Sequence, residues 1–274
     1  MLTLSNDFKA SYAFIERNFN IVKRYWAWEL VWLVYTVANS LAISYIGVGV
    51  EKMGGQGVDS KYLVLYLAVG NIVWRYLSVI FYWVTDLVGL ERWEGTIEYT
   101  LMAPITRFFH MAGQTAFAVV YSLIHTSVLL VATVFFFDVE LKNANLFGFL
   151  ILLMVGSLSF IGISIMGSVL PLLFPERGSQ MTHLIIAMLL LVSGVYYPVG
   201  VLPKWMQVAS WFSPATYVLD GSREALLNGA STASLWKFIV PTLLMGVVMI
   251  PIGLRIFHRA EQYAKRTGKL HRNG

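Results

Sequence analysis

The side chains able to carry out catalysis are few in this sequence, and their spacing fits no common catalytic site. No pair of histidines has the H-E-x-x-H spacing that places two zinc ligands on one helical face. In segment 162–167 the second glycine comes one position too late for the G-x-S-x-G nucleophile elbow, so we expect a small-residue packing face there. The five histidines are His110, His125, His183, His258 and His271.

A site for ATP of the P-loop type is also absent from the sequence. Nowhere does G-x-x-x-x-G-K precede Ser or Thr, the arrangement that cradles nucleotide phosphates. We therefore predict that the chain is not an enzyme and holds no cofactor or metal ion of its own. Any ATP-driven work needs a second polypeptide.

Arg75 is the ionisable residue nearest the centre of an apolar segment. An arginine at that depth in a membrane costs about 2.5 to 3.5 kcal/mol unless it is paired or hydrated. We expect Arg75 either to line a cavity or to pair with Glu29 or Asp86, which lie nearer the segment ends. His125 is expected to pack between helices rather than to relay protons.

The elements that must position these groups are membrane-spanning helices. Of the 274 residues, 57% are hydrophobic and only 13% charged, whereas soluble chains have about 25% charged residues. This composition excludes a soluble enzyme domain. Stretches long enough to cross the hydrocarbon core occupy residues 25–50, 62–88, 108–137, 146–174, 182–199 and 235–257. We predict an all-α integral membrane protein with six transmembrane helices.

The distribution of Lys and Arg predicts the orientation of these six helices. Most of the 20 basic residues fall in the amino-terminal segment, the carboxyl-terminal segment and the loops that lie on the same side. Because basic loops stay in the cytoplasm, both termini are expected there. The basic tail, residues 258–274, is a topology signal and a contact for anionic lipid or a partner; we expect no binding of nucleic acid.

Residues 1–24 form a further unit before the six-span region, residues 25–257. Phe8, Tyr12, Ile15 and Phe19 recur at spacings of four, three and four, which predicts an amphipathic helix. With basic and aromatic residues together, this helix is expected to lie in the cytoplasmic interface of the membrane.

The loop after the second apolar segment has the most informative pattern. It contains Glu91-Arg92-Trp93-Glu94-Gly95-Thr96-Ile97-Glu98 and ends at Pro104. We predict a short interfacial helix with Thr96 as N-cap and Glu98 in its first turn. The loop resembles that of ABC-2 type permeases, the membrane subunits of ATP-binding-cassette exporters, which typically read E-R-x-x-G-T-x-E and then an apolar pair and x-P.

Other stretches are similar to the same family. Residues 193–203 and 213–217, with Asp220, Arg223 and Gly229 after them, resemble its outer segment. Residues 259–270 resemble the ending of the daunorubicin and multidrug-resistance branch. The resemblance covers residues 91–270, and the first 90 residues match in architecture only.

The resemblance implies a homodimer of six-span subunits bound to two copies of a separate ATPase, which would hold ATP and magnesium. In that family the loop over residues 91–106 is a coupling helix on the ATPase, and the turn 175–178 would be a smaller contact. The first, second and fifth spans would line the route, in a prokaryotic plasma membrane. The residues implied to couple the chain to the ATPase are Glu91, Arg92, Glu94, Gly95, Thr96, Glu98, Pro104, Glu176 and Arg177.

The segment between the fifth and sixth spans is predicted to form two helices. Pro203 precedes an amphipathic run, Pro214 breaks it, and a second helix can continue to Asn228 before Gly229. This outer re-entrant segment is either a lid over the exit or an aromatic anchor at the membrane surface, and the two roles are compatible. Candidates for the pathway or gate are Arg75, Tyr196, Tyr197, Pro198, Trp205 and Trp211.

The expected cargo is a hydrophobic or amphipathic, drug-like small molecule, because aromatic residues and methionine suit such surfaces. An exporter of a lipid-linked glycan or polysaccharide is the alternative, since aromatic content of 15% also suits sugar stacking. A secondary carrier would need carboxylates inside the spans, where only Glu29 and Asp86 are candidates.

Overall fold

Residues 4–52, 60–137 and 143–268 are described in the computed structural model, and these residues form α-helices and turns without strands. The α-helices of these ranges are α1 Leu4–Arg24, α2 Trp26–Lys52, α3 Ser60–Glu94, α4 Ile97–Met102, α5 Arg107–Phe137, α6 Leu146–Gly167, α7 Val169–Leu173, α8 Gly178–Val192, α9 Lys204–Trp211, α10 Pro214–Leu226 and α11 Trp236–Arg266. A short 3-10 helix at Val199–Val201 precedes α9.

Five segments of the described residues are long and apolar enough to cross a membrane. They are Trp26–Val50, Lys61–Glu94, Arg107–Phe137, Leu146–Leu173 and Trp236–Arg266. The chain is therefore an all-α, multi-pass membrane protein, as predicted.

The fifth predicted span differs from the helix that forms. α8 has 15 residues, or about 22 Å at 1.5 Å per residue, against a hydrocarbon core of about 30 Å. It ends at Val192 and not at residue 199, because Gly194 has a left-handed φ of 70°. The count of six transmembrane helices stays a prediction.

The fourth predicted span is divided into α6 and α7 at Ser168. Pro171 explains the break, because it lacks the N–H that would bond to the carbonyl of Gly167 four residues earlier. The hydroxyl of Ser168 donates a hydrogen bond to the carbonyl of Ile165 (2.8 Å) at this point.

α6 and α11 pack closely through small residues. A Cβ added to Gly162 would lie 2.5 Å from Cβ of Met249, and one added to Gly253 would lie 2.8 Å from the carbonyl oxygen of Gly162. Ser159 donates a hydrogen bond across this interface to the carbonyl of Thr242 (2.6 Å). The predicted small-residue face of the fourth span is thus confirmed at Gly162.

α3 is the central helix, and much of its length is buried among α2, α5, α6, α8 and α10. At one end of the bundle lie α4 and residues 174–177, and we call this the α4 end. At the opposite end α10 enters the bundle between α3, α6 and α11, with most of its side chains buried. We call this the α10 end.

α1 has the predicted amphipathic character. Its polar face packs on α5, where Ser11 donates to the carbonyl of Phe109 (2.6 Å) and Asn18 donates to Gln114 (2.7 Å). Its apolar face, with Phe8 and Phe19, is exposed and available to lipid. At the other terminus α11 continues without interruption through residue 258 to Arg266, so the boundary placed before the basic tail coincides with no structural break.

We predict that Gly162→Ala destabilises the protein by about 1–3 kcal/mol, because the added methyl group overpacks the α6–α11 interface. Gly49→Ala in α2 is the matched control, since its Cβ would meet no atom within 4 Å. Thermal unfolding of both purified variants checks this. A melting temperature of Gly162→Ala equal to that of Gly49→Ala would contradict it.

Candidate functional site

The first candidate region is the connection between α3 and α5 at the α4 end. α3 ends in a Schellman motif, in which Thr96 N–H bonds to the carbonyl of Glu91 (2.9 Å) and Gly95 N–H to that of Arg92 (3.2 Å). Gly95 has a φ of 76°, a left-handed conformation that side chains with a Cβ rarely adopt. The sharp turn into α4 therefore requires Gly95.

Two residues expected at the ATPase contact lie inside the protein instead. Glu91 is 2% exposed and forms an ion pair with Arg17 of α1 (2.7 Å). Arg92 is fully buried, and its guanidinium has no hydrogen-bond partner among the described residues. The negative charge of Glu98 stabilises the positive charge of this guanidinium. Because both side chains are buried, neither can form part of the outer surface of the loop in this conformation.

Thr96 occupies the predicted N-cap position of α4, but its side chain makes no capping hydrogen bond. Its hydroxyl instead donates to the carbonyl of Glu91 (3.3 Å), which belongs to the end of α3. Glu98 lies in the first turn of α4, as predicted. The short helix therefore begins without a side-chain cap.

Apolar contacts fix the inner face of α4. Ile97 and Leu101, one helical turn apart, are buried in a cluster with Met111 of α5 and Phe257 of α11. A six-residue helix is too short to be stable alone in water. Its helical conformation therefore depends on this tertiary packing.

Ionic contacts fix the end of α4, through residues that sequence reasoning missed. Glu261 is buried and accepts hydrogen bonds from Arg107 (2.7 and 2.8 Å) and Lys265 (2.7 Å). Arg107 also donates to the carbonyls of Thr100 and Leu101, and Lys265 to that of Leu101 (3.1 Å). We call Arg107, Glu261 and Lys265 the ionic clamp.

The outer surface of α4 combines apolar and polar side chains. Tyr99 is 80% exposed and Met102 is 78% exposed, and Trp93 is also exposed at the end of α3. Other exposed or half-buried positions of this surface are Glu94, Gly95, Thr96, Glu98 and Pro104. Glu176 and Arg177 are exposed at the same end, in the turn that precedes α8. The structure thus brings these residues to one end of the bundle.

The second candidate region is a cavity of about 830 Å³, which we call the large cavity. It lies between the apolar segments and combines aromatic, acidic and basic side chains from five helices. Its lining residues are Ile21, Tyr25, Trp28, Glu29, Trp32, Arg75, Val79, Tyr82, Trp83, Asp86, Leu87, Leu90, Tyr121, His125 and His183.

A second cavity of about 320 Å³, the small cavity, lies further towards the α10 end. Arg75, Tyr82 and His183 line both cavities. Tyr82 and His183 are hydrogen-bonded to each other (2.9 Å). The two cavities therefore meet at Arg75, and together they follow α3 through much of the bundle.

Arg75 pairs with neither of the acids proposed for it. No ion pair or hydrogen bond of its guanidinium occurs within the described ranges, and its Nε atom is buried without a partner. Glu29 accepts a hydrogen bond from Tyr121, whose ring stacks on Trp83. The structure therefore supports the cavity interpretation of Arg75. His125 packs against Tyr121, with ring centroids 4.3 Å apart, and also lines the large cavity.

Among the other gate candidates, Tyr196 lines the small cavity. It donates to Asn71 of α3 (3.3 Å). Tyr197 donates to the carbonyl of Leu191 (2.6 Å) at the end of α8. Trp205 and Trp211 of α9 are exposed, and so is Pro198. The helices α9 and α10 begin after Pro203 and at Pro214, as predicted.

Arg223 of α10 holds this segment in place, a role that sequence reasoning missed. Its guanidinium donates to the carbonyls of Gly194 (3.0 Å) and Val195 (2.6 Å) and lies 3.6 Å from the ring centre of Tyr66 in α3. It thereby joins α10, the irregular chain after α8, and α3. Its position one turn after Asp220 was visible in the sequence, but its partners were not.

A bundle of helices that are long and apolar enough to cross a membrane, with ionisable side chains lining a cavity between them, has the architecture of a membrane transport protein. The family profile described as "ABC-2 type transporter" matches residues 11–227. The chain belongs to this family. The match includes most of the first 90 residues, where the sequence motifs alone show no resemblance beyond a similar architecture.

Curated relatives with detectable similarity are bacterial permeases. The "Probable multidrug ABC transporter permease YbhR" of Escherichia coli K12 is 23% identical over 179 residues, which are 64% of this chain and 48% of the relative. The "Linearmycin resistance permease protein LnrN" of Bacillus subtilis 168 is 26% identical over 164 residues, 60% of this chain and 42% of the relative. The aligned region thus spans less than half the length of either relative.

We predict that Glu261→Gln loosens α4 from the bundle. Gln still accepts a hydrogen bond through its amide oxygen, but Arg107 and Lys265 lose their common counter-ion. We expect a cost of about 3 kcal/mol, the lower end of the range for breaking a buried ion pair. Hydrogen exchange of residues 97–102 should accelerate. Glu16→Gln, at an exposed position of α1, is the control, and equal exchange in the two variants would contradict the clamp.

Proposed function

We propose that the chain is the membrane-spanning permease subunit of an ATP-driven exporter in a prokaryotic plasma membrane. The observation that carries this proposal is the exposed surface of α4, which is fixed rigidly to the ends of α3, α5 and α11. A partner bound there would act directly on helices of the bundle, two of which line the cavities. Membership of the ABC-2 type transporter family supports the same conclusion.

The partner in this proposal is an ATPase that binds ATP and magnesium. The 274 residues contain no P-loop sequence, and in this proposal the energy comes from a separate polypeptide. In this proposal the α4 end and both termini lie in the cytoplasm, an orientation that the positive-inside distribution of Lys and Arg favours. Two copies of the ATPase would then serve two copies of this chain.

The cargo in this proposal is a hydrophobic or amphipathic small molecule. The large cavity has the volume of a small-molecule site and is mostly apolar and aromatic. The names of the two relatives refer to multidrug transport and linearmycin resistance, which favours a drug-like compound. A lipid-linked glycan is the alternative, because Trp28, Trp32 and Trp83 in the cavity wall would also stack on sugar rings.

A secondary carrier is a proposal from a different class, and one observation favours it. Glu29 and Asp86 both line the large cavity, where a coupled proton would need carboxylates. Transport by the purified chain in vesicles separates the two classes. Uptake driven by a proton gradient without ATPase would support a carrier, and dependence on the ATPase and ATP would support the exporter.

We predict that Tyr99→Ala and Met102→Ala weaken binding of the ATPase without affecting the fold. Both side chains are exposed, so their removal should change stability by less than about 0.5 kcal/mol. Loss of an apolar anchor from an interface should weaken binding about tenfold. Copurification, ATPase rate and efflux of both variants check this, and wild-type values for all three would exclude α4 as the contact.

Gly95→Val should uncouple ATP hydrolysis from efflux, because a β-branched residue strains the turn at φ 76°. Gly268→Val, with a φ of 68°, imposes the same strain outside the turn into α4, three residues beyond Lys265 of the ionic clamp, and serves as the control. Efflux of Gly95→Val equal to that of Gly268→Val would contradict the assignment.

Charge reversal by Glu98→Lys should also weaken docking of the ATPase. Because it places a second cation near buried Arg92, this variant tests the fold and the docking together.

The lid role of residues 193–213 is tested by cross-linking. The chain contains no cysteine, so Tyr197→Cys supplies a single reactive position, next in sequence to Tyr196 of the small cavity. Cross-linking between two copies should change when ATP is trapped on the ATPase. Val247→Cys on the exposed face of α11 is the control, and an unchanged yield at residue 197 would leave the segment as an aromatic anchor only.

A further inference from the structure

The exposed face of α11 changes from apolar to basic without a break in the helix. Leu244, Val248 and Ile252 are exposed apolar side chains, and the exposed side chains of Arg255 and Arg259 continue the same row. These five positions follow one another at spacings of four, four, three and four, so they share one face of the helix. We call Arg255 and Arg259 the arginine pair. A lipid chain that packs on the apolar part of this face leads directly to the arginine pair.

The length of α11 places the arginine pair at a membrane surface. Trp236, exposed at the start of the helix, and Arg255 are nineteen residues apart, which is about 28 Å along the axis. The hydrocarbon core is about 30 Å thick, and no charged residue lies between Lys237 and Arg255. With Trp236 at one interface, Arg255 lies at the other, at the α4 end. Arg259 lies about 6 Å further along the axis, within the headgroup layer.

The arginine pair has no counter-ion within the described ranges. Neither arginine takes part in an ion pair or a side-chain hydrogen bond there. Two like charges four residues apart on a helix repel each other. An anion bound between the two guanidinium groups would remove this repulsion.

The acid of this segment is directed away from the arginine pair. α11 contains a single acidic residue, Glu261, which is buried and accepts hydrogen bonds from Arg107 and Lys265. The last turns of α11 therefore have two sides with different contacts. The ionic clamp on the inner side holds α4, and the arginine pair lies on the outer side.

A phospholipid has the chemistry that fits this outer side. A guanidinium binds a phosphate through paired hydrogen bonds, and the phosphates of a bilayer lie just outside the hydrocarbon core, at the level of the arginine pair. The acyl chains of the same molecule would pack on Val248 and Ile252, a contact that free phosphate cannot make. A headgroup with its own ammonium group would place a third cation beside the arginine pair. Net negative charge is therefore favoured.

We propose that the arginine pair binds the phosphate of an anionic phospholipid such as phosphatidylglycerol, and that this lipid restrains the last turns of α11 and, through the ionic clamp, α4. A helix end with few contacts opens locally at low free energy, so a ligand on one side of it slows exchange on both. This inference goes beyond the proposed export function and does not depend on it.

The test uses the full chain in nanodiscs, without ATPase. One set of discs contains dioleoylphosphatidylcholine, and the other contains an equal mixture of this lipid with dioleoylphosphatidylglycerol. Hydrogen exchange of residues 259–266 and 97–102 should be about fivefold slower in the mixed discs, the effect of one arginine at an anionic surface. Equal exchange in the two sets would overturn the proposal. Equal protection by inorganic phosphate added to the phosphatidylcholine discs would also overturn it.

Substitutions distinguish a lipid site from diffuse attraction between charges. Arg255→Gln combined with Arg259→Gln should abolish the protection by phosphatidylglycerol and leave exchange in phosphatidylcholine unchanged, because both side chains are exposed. Arg266→Gln is the matched control, since Arg266 is exposed on the same face but lies about 10 Å beyond Arg259, outside the headgroup layer. Equal loss of protection in this control would overturn the site. Faster exchange of the double variant in phosphatidylcholine would show a structural role and overturn it too.

The other possible occupant of the arginine pair is an acidic surface of the ATPase. Copurification in phosphatidylcholine discs separates the two, because no anionic lipid is present there. The double variant should bind the ATPase as tightly as the wild-type chain. Weaker binding would assign the arginine pair to a protein interface and overturn the lipid site. Failure of the wild-type chain to bind an ATPase would remove the proposed export function, and the lipid-dependent exchange would still support the lipid site.

Discussion

The carboxylate of Glu261 joins three helices at the α4 end. It is buried, and it accepts hydrogen bonds from Arg107 at the start of α5 and from Lys265 in the last turns of α11. Both cations also bond to carbonyls at the end of α4, where the helix dipole favours positive charge. Because α4 is too short to be stable alone, its position depends on this shared carboxylate and on the apolar packing beneath it. A force applied to α4 is therefore transmitted to α5 and α11 through the shared carboxylate and that packing.

α3 combines a core face with a cavity face. Tyr76, Ile80 and Phe81 are buried in the largest apolar cluster, whereas Arg75, Tyr82 and Asp86 recur at spacings of seven and four on the opposite side. Residues with these spacings share one face of a helix. The dense packing of the core face fixes the rotation of α3 about its axis. That rotation determines which groups line the cavity, so the position of Arg75 depends on a core made of other helices.

Local chemistry was sufficient to predict much of this arrangement. Gly95, Pro203 and Pro214 lie at helix boundaries because their backbone restrictions act within a few residues. The predicted fifth span extends to residue 199 because the residues up to that point are mostly apolar. Ser193-Gly194 is a helix-ending signal, and α8 ends just before it. The ionic clamp joins residues 154 positions apart, and local sequence cannot show which of several distant cations a carboxylate meets. The single acid in the basic stretch after residue 257 was the one available signal, and burial of Glu91 likewise follows from a distant partner, Arg17.

If α8 is the predicted fifth span, its shortness makes the free energy of the folded protein depend on the thickness of the bilayer. Where an apolar helix is shorter than the hydrocarbon layer, lipid chains compress around it or neighbouring protein covers the difference, at fractions of a kcal/mol per Å. Between α8 and the 3-10 helix Val199–Val201 the backbone is irregular, and lipid cannot solvate its polar groups. Arg223 satisfies the carbonyls of Gly194 and Val195 in this stretch from within the protein. Thin membranes would match α8, and thick ones would match α3 and α11. A change in lipid acyl-chain length would therefore improve the match to the short helix while it worsens the match to the long helices, or the reverse.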